Sequence, residues 1–159
     1  MNPRPCPRDR LWLDGMNYSI EILETESPEA VTAIGDALEA FNTSQAGPSP
    51  HQPLSILIKH PETNAILGGL TGASSHDWLF IKLLFIPESL RGQNLGTKLM
   101  AQAESIARAR NLTGIWLDTF EFQARAFYEK QGFSLFATLP DHPKGHNRYF
   151  LQKRLDVHE

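Results

Sequence analysis

Hydrophobic residues recur along the chain in two patterns, one typical of helices and one typical of strands. After Ser27-Pro28-Glu29, apolar residues return every three or four positions, as on one face of an amphipathic helix. Ser27 is a good N-cap, and a proline at the first helical position followed by an acid favours a helix start there. The predicted helices run from Pro28 to before Gly47-Pro48, from after Arg91-Gly92 to Asn111, and over Gln123–Gln131 with Gly132 as the C-terminal cap.

Strands are predicted where apolar residues alternate or form short continuous runs. Two predicted strands, Leu54–Lys59 and Ala65–Ala73, flank Pro61-Glu62-Thr63-Asn64, which predicts an antiparallel hairpin. Trp78–Ile86 is apolar at nearly every position, as expected for a central strand that is covered on both faces. The predicted strands are Tyr18–Glu24, Leu54–Lys59, Ala65–Ala73, Trp78–Ile86, Ile115–Phe120, Phe133–Leu139 and Arg148–Leu155.

The order of these elements, β-α-β-β-β-α-β-α-β-β, predicts a mixed α/β (α+β) fold. A meander followed by a βαβ unit gives a mostly antiparallel central sheet, here of about seven strands, with helices on both faces. Residues 1–15 contain three prolines and three arginines, so we expect an N-terminal arm. Residues 16–159 are predicted to form a single domain.

Composition excludes several classes of protein. The 159 residues include 15 Lys and Arg against 18 Asp and Glu, a net charge of -3, so the chain has no basic footprint of a general nucleic-acid binder. Cys6 is the single cysteine, which rules out an internal disulfide and a cysteine-based zinc site. The apolar run at Trp78–Ile86 is far shorter than a membrane span, and no signal-peptide pattern opens the chain. We therefore expect a cytoplasmic protein that binds neither membrane nor nucleic acid.

The loop Arg91-Gly92-Gln93-Asn94-Leu95-Gly96 joins the buried strand to the second helix. Glycines let a ligand approach the backbone closely, and the free N–H groups of a helix start attract an anion such as a pyrophosphate. Other phosphate motifs do not fit. Gly96-Thr97-Lys98 lacks the order of a P-loop, and Gly68, Gly69 and Gly72 lack the spacing of a dinucleotide fingerprint.

Two segments together resemble the GNAT superfamily of N-acetyltransferases. Arg91-Gly92-Gln93-Asn94-Leu95-Gly96 is similar to its pyrophosphate-binding loop, and Ala124–Phe133 is similar to its Ala-x-x-x-Tyr-x-x-x-Gly-Phe helix. The resemblance covers about residues 17–155, and the last interstrand loop is similar to that of small bacterial members. It implies a GNAT-like fold and acetyl coenzyme A as co-substrate, with no metal.

By this resemblance, backbone groups of the fourth strand bind the pantetheine arm and acetyl carbonyl, and Tyr128 protonates the leaving sulfur. A phenol is protonated at pH 7, as that role requires. The alternative role of Tyr128 is to pack its helix against the sheet. The residues implied to bind the cofactor are Leu84, Phe85, Ile86, Arg91, Gly92, Gln93, Asn94, Leu95, Gly96, Thr97, Ala124 and Phe127.

The group that accepts the amine proton is left open by the sequence. Asp118 and Glu121 lie at the end of the fifth predicted strand, and His142 and His146 lie in the last interstrand loop, where each histidine could equally brace the loop. Pro143 and Gly145 argue against a helical metal-binding pair.

Three residues depart from the family pattern. Asn94 replaces a usual glycine, although asparagine tolerates positive φ, and Glu121 replaces a usual asparagine. Lys82 stands where relatives often have a carboxylate; if it faces the cleft, it favours an acidic acceptor.

These observations predict direct attack of a primary amine of a small molecule on acetyl coenzyme A in a ternary complex. Two alternatives stay open: acetylation of a protein amine, and a non-catalytic module that binds acyl-coenzyme A as a sensor. The sequence names no acceptor and leaves the oligomeric state open, with a homodimer among the options.

Overall fold

The computed structural model describes residues 20–156 and divides into one unit that ends at Pro48 and a second that begins at Ser49. The first unit contains helix α1, Pro28–Ala46. The side chain of Ser27 accepts a hydrogen bond from the Ala30 amide at 3.2 Å, and Gly47 ends the helix with φ 80°. The predicted N-cap, helix and stop are confirmed.

The predicted first strand, Tyr18–Glu24, is not formed in its described part, residues 20–24. Ile20 and Ile22 are exposed there, and the segment pairs with no other strand in the described part of the chain. Weak alternation alone does not hold a strand that lacks a hydrogen-bonding neighbour. Tyr18, Ser19 and the predicted arm of residues 1–15 lie outside the described residues.

The second unit is built on a six-stranded sheet in the order β1-β2-β3-β4-β6-β5. Every neighbouring pair is antiparallel except β3 and β4, which are parallel because α2 connects them. The mixed, mostly antiparallel sheet is therefore confirmed, with six strands rather than about seven among residues 20–156. Its elements are β1 Gln52–Lys59, β2 Ile66–Ser75, β3 Trp78–Phe85, α2 Leu95–Ala109, β4 Gly114–Phe120, α3 Arg125–Lys130, β5 Ser134–Leu139 and β6 Arg148–Arg154.

The core lies where α2 and α3 pack against the two parallel strands. Register pairs Ile81 of β3 with Leu117 of β4, and these side chains are 3% and 1% exposed. Alternating residues of a strand point to opposite faces, so this face of the sheet is the buried one. Ala103 and Ala107 of α2 are fully buried in the same core, where small side chains let the helix approach closely. Tyr128 and Phe133 extend the core toward α3.

The two parallel strands separate halfway along their length. β3 pairs with β4 only over Trp78–Ile81, and both strands then continue without pairing to each other. Lys82 is an extra residue in the ladder with β2, because Ile81 pairs with Gly72 and Leu83 pairs with Thr71. A bulge of this kind bends the strand and increases its local twist. From this bulge onward β3 and β4 are no longer paired, so the sheet is open between their ends.

No helix in the described part of the chain is long and apolar enough to cross a membrane.

Candidate active site

The opening between β3 and β4 leads into a cleft of about 880 Å³. Ligand-binding clefts usually fall between roughly 300 and 1,000 Å³, so this one is large enough for an extended ligand. Its walls are the ends of β3 and β4, the loop before α2, the first turn of α2 and the start of α3. The lining comprises residues 82–86, 90–92, 94–97, 118–120, 122–124, 127, 128 and 148.

Most of the residues singled out from the sequence contribute to this lining. Gln93, Glu121, His142 and His146 lie outside it, and the remaining predicted catalytic and cofactor-binding residues lie on it. Leu83 and Phe85 are 62% and 59% exposed, so the apolar run of β3 is not buried throughout. Its second half lines the cleft, while Leu84 and Ile86 also pack against the core.

The start of α2 presents unpaired backbone donors to the cleft. The first helical hydrogen bond runs from the Lys98 amide to the Asn94 carbonyl at 3.0 Å. Within the described residues, the N–H groups of Leu95, Gly96 and Thr97 accordingly have no protein acceptor. Such groups, together with the positive end of the helix dipole, favour an anion.

Asn94 and Gly92 give this loop its shape. Asn94 has φ 58° and ψ 19°, in the left-handed region, and Gly92 has φ 76°. The expectation that asparagine tolerates positive φ at this position is confirmed. The Asn94 side chain makes no capping hydrogen bond to α2, so its amide is available to the cleft.

Gly96 is closely packed against side chains of α3 and of the residue after β3. A Cβ atom placed there would lie 3.0 Å from a ring carbon of Phe127 and 3.3 Å from Cδ1 of Ile86. On the other side of the loop, Nε of Arg91 donates to the Ile86 carbonyl oxygen at 3.2 Å. The loop is thus held closely against the end of β3.

Tyr128 lies on α3 and is 8% exposed. Gly132 ends this helix with φ 87°, and the Phe133 amide donates back to the Tyr128 carbonyl at 3.1 Å. Within residues 20–156 the Tyr128 hydroxyl has no hydrogen-bond partner, and no fully buried side-chain polar atom there lacks one. The hydroxyl oxygen therefore opens to the cleft. Burial raises the pKa of Tyr128 above its usual range, and the negative charge of Asp118 raises it further.

Asp118 is paired with Arg148, a residue that the sequence reading did not place in the site. The Asp118 oxygen Oδ2 accepts from Arg148 Nε at 2.7 Å and lies 2.6 Å from Nη2. Arg148 Nη1 is also 3.3 Å from Nε2 of His142. Because β6 lies beside β4, register places Arg148 opposite Phe120, two residues beyond Asp118. Recognising this pair requires the sheet order, which hydrophobic periodicity does not supply.

Gln123 and two phenylalanines complete the end of β4, and no sequence motif indicates their roles. Gln123 Oε1 accepts hydrogen bonds from the Phe120 amide at 2.9 Å and from Thr119 Oγ1 at 3.2 Å. The Phe120 and Phe122 rings stack with centroids 5.3 Å apart. Together they form an apolar wall beside Asp118.

Glu121 and His146 meet at the edge of the last interstrand loop. Glu121 Oε2 accepts from the Asn147 amide at 3.1 Å and lies 3.8 Å from Nδ1 of His146. The His146 ring also packs edge-on against Phe122 at 5.2 Å. In this arrangement the pair braces the loop. Within residues 20–156, no group of three or more His, Cys, Asp or Glu residues is arranged to hold a metal ion.

Comparison with known proteins agrees with this geometry. Residues 19–133 match the model of the acetyltransferase (GNAT) family. An acetyltransferase of Agrobacterium fabrum is 37% identical over 139 residues, covering 87% of this chain and 99% of the relative. The blasticidin-S acetyltransferase of Streptomyces morookaense is 38% identical over 107 residues, covering 65% of this chain and 79% of the relative.

Solved structures with the same fold extend the comparison. A structure from Agrobacterium tumefaciens has a TM-score of 0.80 at 36% identity and covers 88% of this chain and 100% of its own. A Bacillus anthracis structure in complex with acetyl coenzyme A has a TM-score of 0.52 at 25% identity, with coverages of 59% and 58%. A family match over this much of the sequence, with a relative aligned along nearly its full length, shows that the chain belongs to the GNAT family of acetyltransferases.

Proposed function

We propose that the protein transfers an acetyl group from acetyl coenzyme A to a primary amine of a small molecule, by direct attack in a ternary complex. The observation that carries the proposal is a single cleft that contains both the free donors of α2 and the Tyr128 hydroxyl. An anion-binding helix start and a protonated acid within one cavity are what acyl transfer from a phosphate-bearing thioester requires.

The donor-rich end of the cleft is suited to the pyrophosphate of the co-substrate. In the proposal, the amides of Leu95, Gly96 and Thr97 hold it, and the left-handed conformations of Gly92 and Asn94 aim the loop toward it. The Bacillus anthracis neighbour, which was solved with acetyl coenzyme A, supports this choice of ligand. Gln93, Ala124 and Phe127 are assigned to the same binding region.

The unpaired end of β3 is suited to the pantetheine arm. Beyond Ile81 the edge of β3 that faces β4 lacks a strand partner, so backbone groups of Leu84, Phe85 and Ile86 are assigned to the arm and to the acetyl carbonyl. The Ile86 carbonyl oxygen already accepts from Arg91. Acetyl coenzyme A would supply the thioester carbonyl that the amine attacks.

Tyr128 is assigned as the acid that protonates the leaving sulfur. Its raised pKa keeps the hydroxyl protonated well above neutral pH, so it can donate throughout the physiological range. The free hydroxyl also has no competing protein acceptor among the described residues.

The acceptor amine must lose a proton before it can attack. Freeing an alkyl amine with a pKa near 10.4 at pH 7 costs about 4–5 kcal/mol. We assign the neighbouring carboxylate of Asp118 to orient the amine and accept its proton, because Asp118 lines the cleft and Arg148 contacts only its Oδ2 atom. Glu121 and His146 are the alternative candidates; they pair with each other beside the cleft.

A small-molecule acceptor is supported by the shape of the site and by one relative. The acceptor end is an open cleft bordered by Phe120, Phe122 and Arg148, a shape that suits a small molecule. The Streptomyces relative is named for its action on blasticidin-S.

The test is release of free thiol from acetyl coenzyme A in the presence of a panel of primary amines. Tyr128→Phe keeps the ring and should lower single-turnover rates by up to about 10²-fold without changing coenzyme A affinity. Tyr149→Phe is the matched control, since Tyr149 lies outside the cleft lining and should retain full activity. Thiol release that does not depend on any amine would contradict the assignment of an amine acceptor. Full activity in Tyr128→Phe would contradict the assignment of Tyr128 as the acid.

A further inference from the structure

We propose that the acceptor carries a carboxylate close to its amine, as an amino acid does, and that the ammonium of Lys82 binds this carboxylate. The inference rests on the proposed function and specifies its substrate class. It makes Lys82 a residue that determines acceptor specificity.

The β3 bulge places Lys82 at the point where the sheet opens. Ile81 and Leu117 are the last paired residues of the two parallel strands, so Lys82 and Asp118 are the first residues beyond the pairing on each side. Both lie on the cleft lining. A bulge commonly re-aims a side chain next to an active site, and here the bulged residue is the charged one.

Lys82 and Asp118 each follow the last paired residue of their strand, but they do not form an ion pair with each other. Arg148 already holds the Asp118 carboxylate at 2.6–2.7 Å. Among residues 20–156, Asp118 is the only acidic residue on the lining, and the Lys82 side chain makes no ion pair or hydrogen bond. The acceptor end thus has two cations and one anion, and the unmatched charge is that of Lys82.

The position of Lys82 favours the acceptor over the co-substrate. The donors assigned to pyrophosphate lie at the start of α2, and Arg91 is the cation on that part of the lining. Lys82 lies at the opposite end of the unpaired part of β3, level with Asp118. Alternation along β4 buries Leu117 and Thr119 and directs Asp118 and Phe120 to the other face, which is the acceptor side in this assignment.

Two further properties fit a carboxylate-bearing amine. A positive charge near the acceptor favours the neutral form of its amine, which is the reactive form. The stacked rings of Phe120 and Phe122 offer an apolar surface for the carbon skeleton, and Phe122 is 60% exposed. An apolar amino acid combines these features, whereas an acceptor with a second cation would be repelled by Lys82.

The experiment compares acceptors in which a neutral amide replaces the carboxylate, with each efficiency expressed for the neutral amine, because amidation also lowers the pKa of the amine. The acetylation efficiency, kcat/KM, is measured for L-phenylalanine against L-phenylalaninamide, L-leucine against L-leucinamide, and β-alanine against β-alaninamide. The wild type should prefer a carboxylate over its amide by about tenfold, a ratio that high salt should reduce. Lys82→Gln should abolish the preference and Lys82→Glu should reverse it. Lys59→Gln, a matched change on β1 outside the cleft, should leave it intact.

Coenzyme A affinity provides a second readout. The increase in melting temperature that coenzyme A produces should be the same in Lys82→Gln and in the wild type. If Lys82→Gln loses the increase in melting temperature, Lys82 binds the co-substrate and the inference is overturned. Equal use of carboxylates and amides by the wild type would also overturn it. So would a carboxylate preference that persists in Lys82→Gln. Failure to acetylate any amine would overturn the proposed function and this inference with it, whereas acetylation without carboxylate preference overturns the inference alone.

Discussion

Arg148 contacts a single oxygen of Asp118 with two of its nitrogens, Nε at 2.7 Å and Nη2 at 2.6 Å. The guanidinium also lies over the Phe120 ring at 5.2 Å and beside Nε2 of His142 at 3.3 Å. These contacts fix its position, so Arg148 holds the Asp118 carboxylate in one orientation toward the cleft. Arg148 is a positioning residue for the proposed proton acceptor.

Removing the guanidinium should affect both stability and turnover. Arg148→Gln removes the hydrogen bond and the ion pair to Asp118 and leaves a carboxylate side chain that is only 15% exposed, so we expect a loss of about 1–3 kcal/mol in the free energy of unfolding. Turnover should fall more than coenzyme A affinity. Urea denaturation and single-turnover kinetics measure the two effects. Arg154→Gln is the control, because Arg154 pairs with Asp156 near the surface and its loss should leave the free energy of unfolding almost unchanged.

The raised pKa of Tyr128 predicts a specific loss of stability in alkali. Burial and the Asp118 charge make the folded state hold the phenol proton more tightly than the unfolded chain, whose tyrosines titrate at about pH 10. The contribution is complete below pH 10 and is lost as the pH rises through the folded-state pKa. Stability should therefore fall less steeply above pH 10 in Tyr128→Phe than in the wild type. Urea denaturation measures the free energy of unfolding at each pH. An equal decrease with pH in the two proteins would contradict the raised pKa of Tyr128.

Asn94 allows coenzyme A binding and folding to be separated. Asn94→Asp is nearly isosteric and tolerates positive φ, and a negative charge at a helix start does not destabilise the helix. The same charge should repel a pyrophosphate, so coenzyme A affinity should fall on the order of tenfold while the melting temperature of the free protein is maintained. Isothermal titration measures the affinity. Asn94→Gly should retain or improve binding, and a large loss in that variant would show that the Asn94 amide contacts the ligand.

A second ion pair connects the helices to the sheet away from the cleft. Lys153 of β6 lies 2.6 Å from Glu104 of α2 and donates to the Gln131 carbonyl at 2.9 Å. Burial alone would raise the pKa of Glu104, but hydrogen bonds from Lys153 and Arg108 outweigh it and lower that pKa. This contribution is present above the unfolded pKa near 4.3 and is lost as the pH falls through the lower folded-state value.

Glu104→Gln should therefore cost about 1 kcal/mol at pH 7, and the difference from wild type should shrink below about pH 4. Glu129→Gln, which disrupts an exposed pair with Arg125 within α3, should cost at most about 0.5 kcal/mol. A larger effect in Glu129→Gln than in Glu104→Gln would contradict the ranking. Chemical denaturation at pH 7 and below about pH 4 measures the loss in the free energy of unfolding for each variant.

Local sequence signals were sufficient for the elements that depend on local chemistry. Ser27 and Pro28 define the start of α1, and the turn residues after Lys59 define the β1–β2 hairpin. The left-handed conformation at Asn94 also follows from residue type alone. In each case the signal and the structure it specifies lie within a few residues of each other.

Features that depend on pairing between distant segments could not be predicted from local sequence signals. β6 lies between β4 and β5, and this placement alone brings Arg148 to Asp118. The bulge at Lys82 depends on its register with β2, and an apolar run does not reveal it. The weak alternation of Tyr18–Glu24 gave a strand that the described residues 20–24 do not form, since strand formation needs a partner as well as a pattern.

The most direct test of the account follows an isotope-labelled acetyl group from acetyl coenzyme A by mass spectrometry. The purified protein is incubated with the labelled co-substrate and the amine panel, and free thiol is measured in the same sample. We expect the intact labelled acetyl group on an amine nitrogen, one product for each thiol released, with the rate reduced in Tyr128→Phe. If coenzyme A raises the melting temperature but the label stays on the thioester with every amine, the protein binds the co-substrate without transferring its acetyl group, and the central claim is wrong.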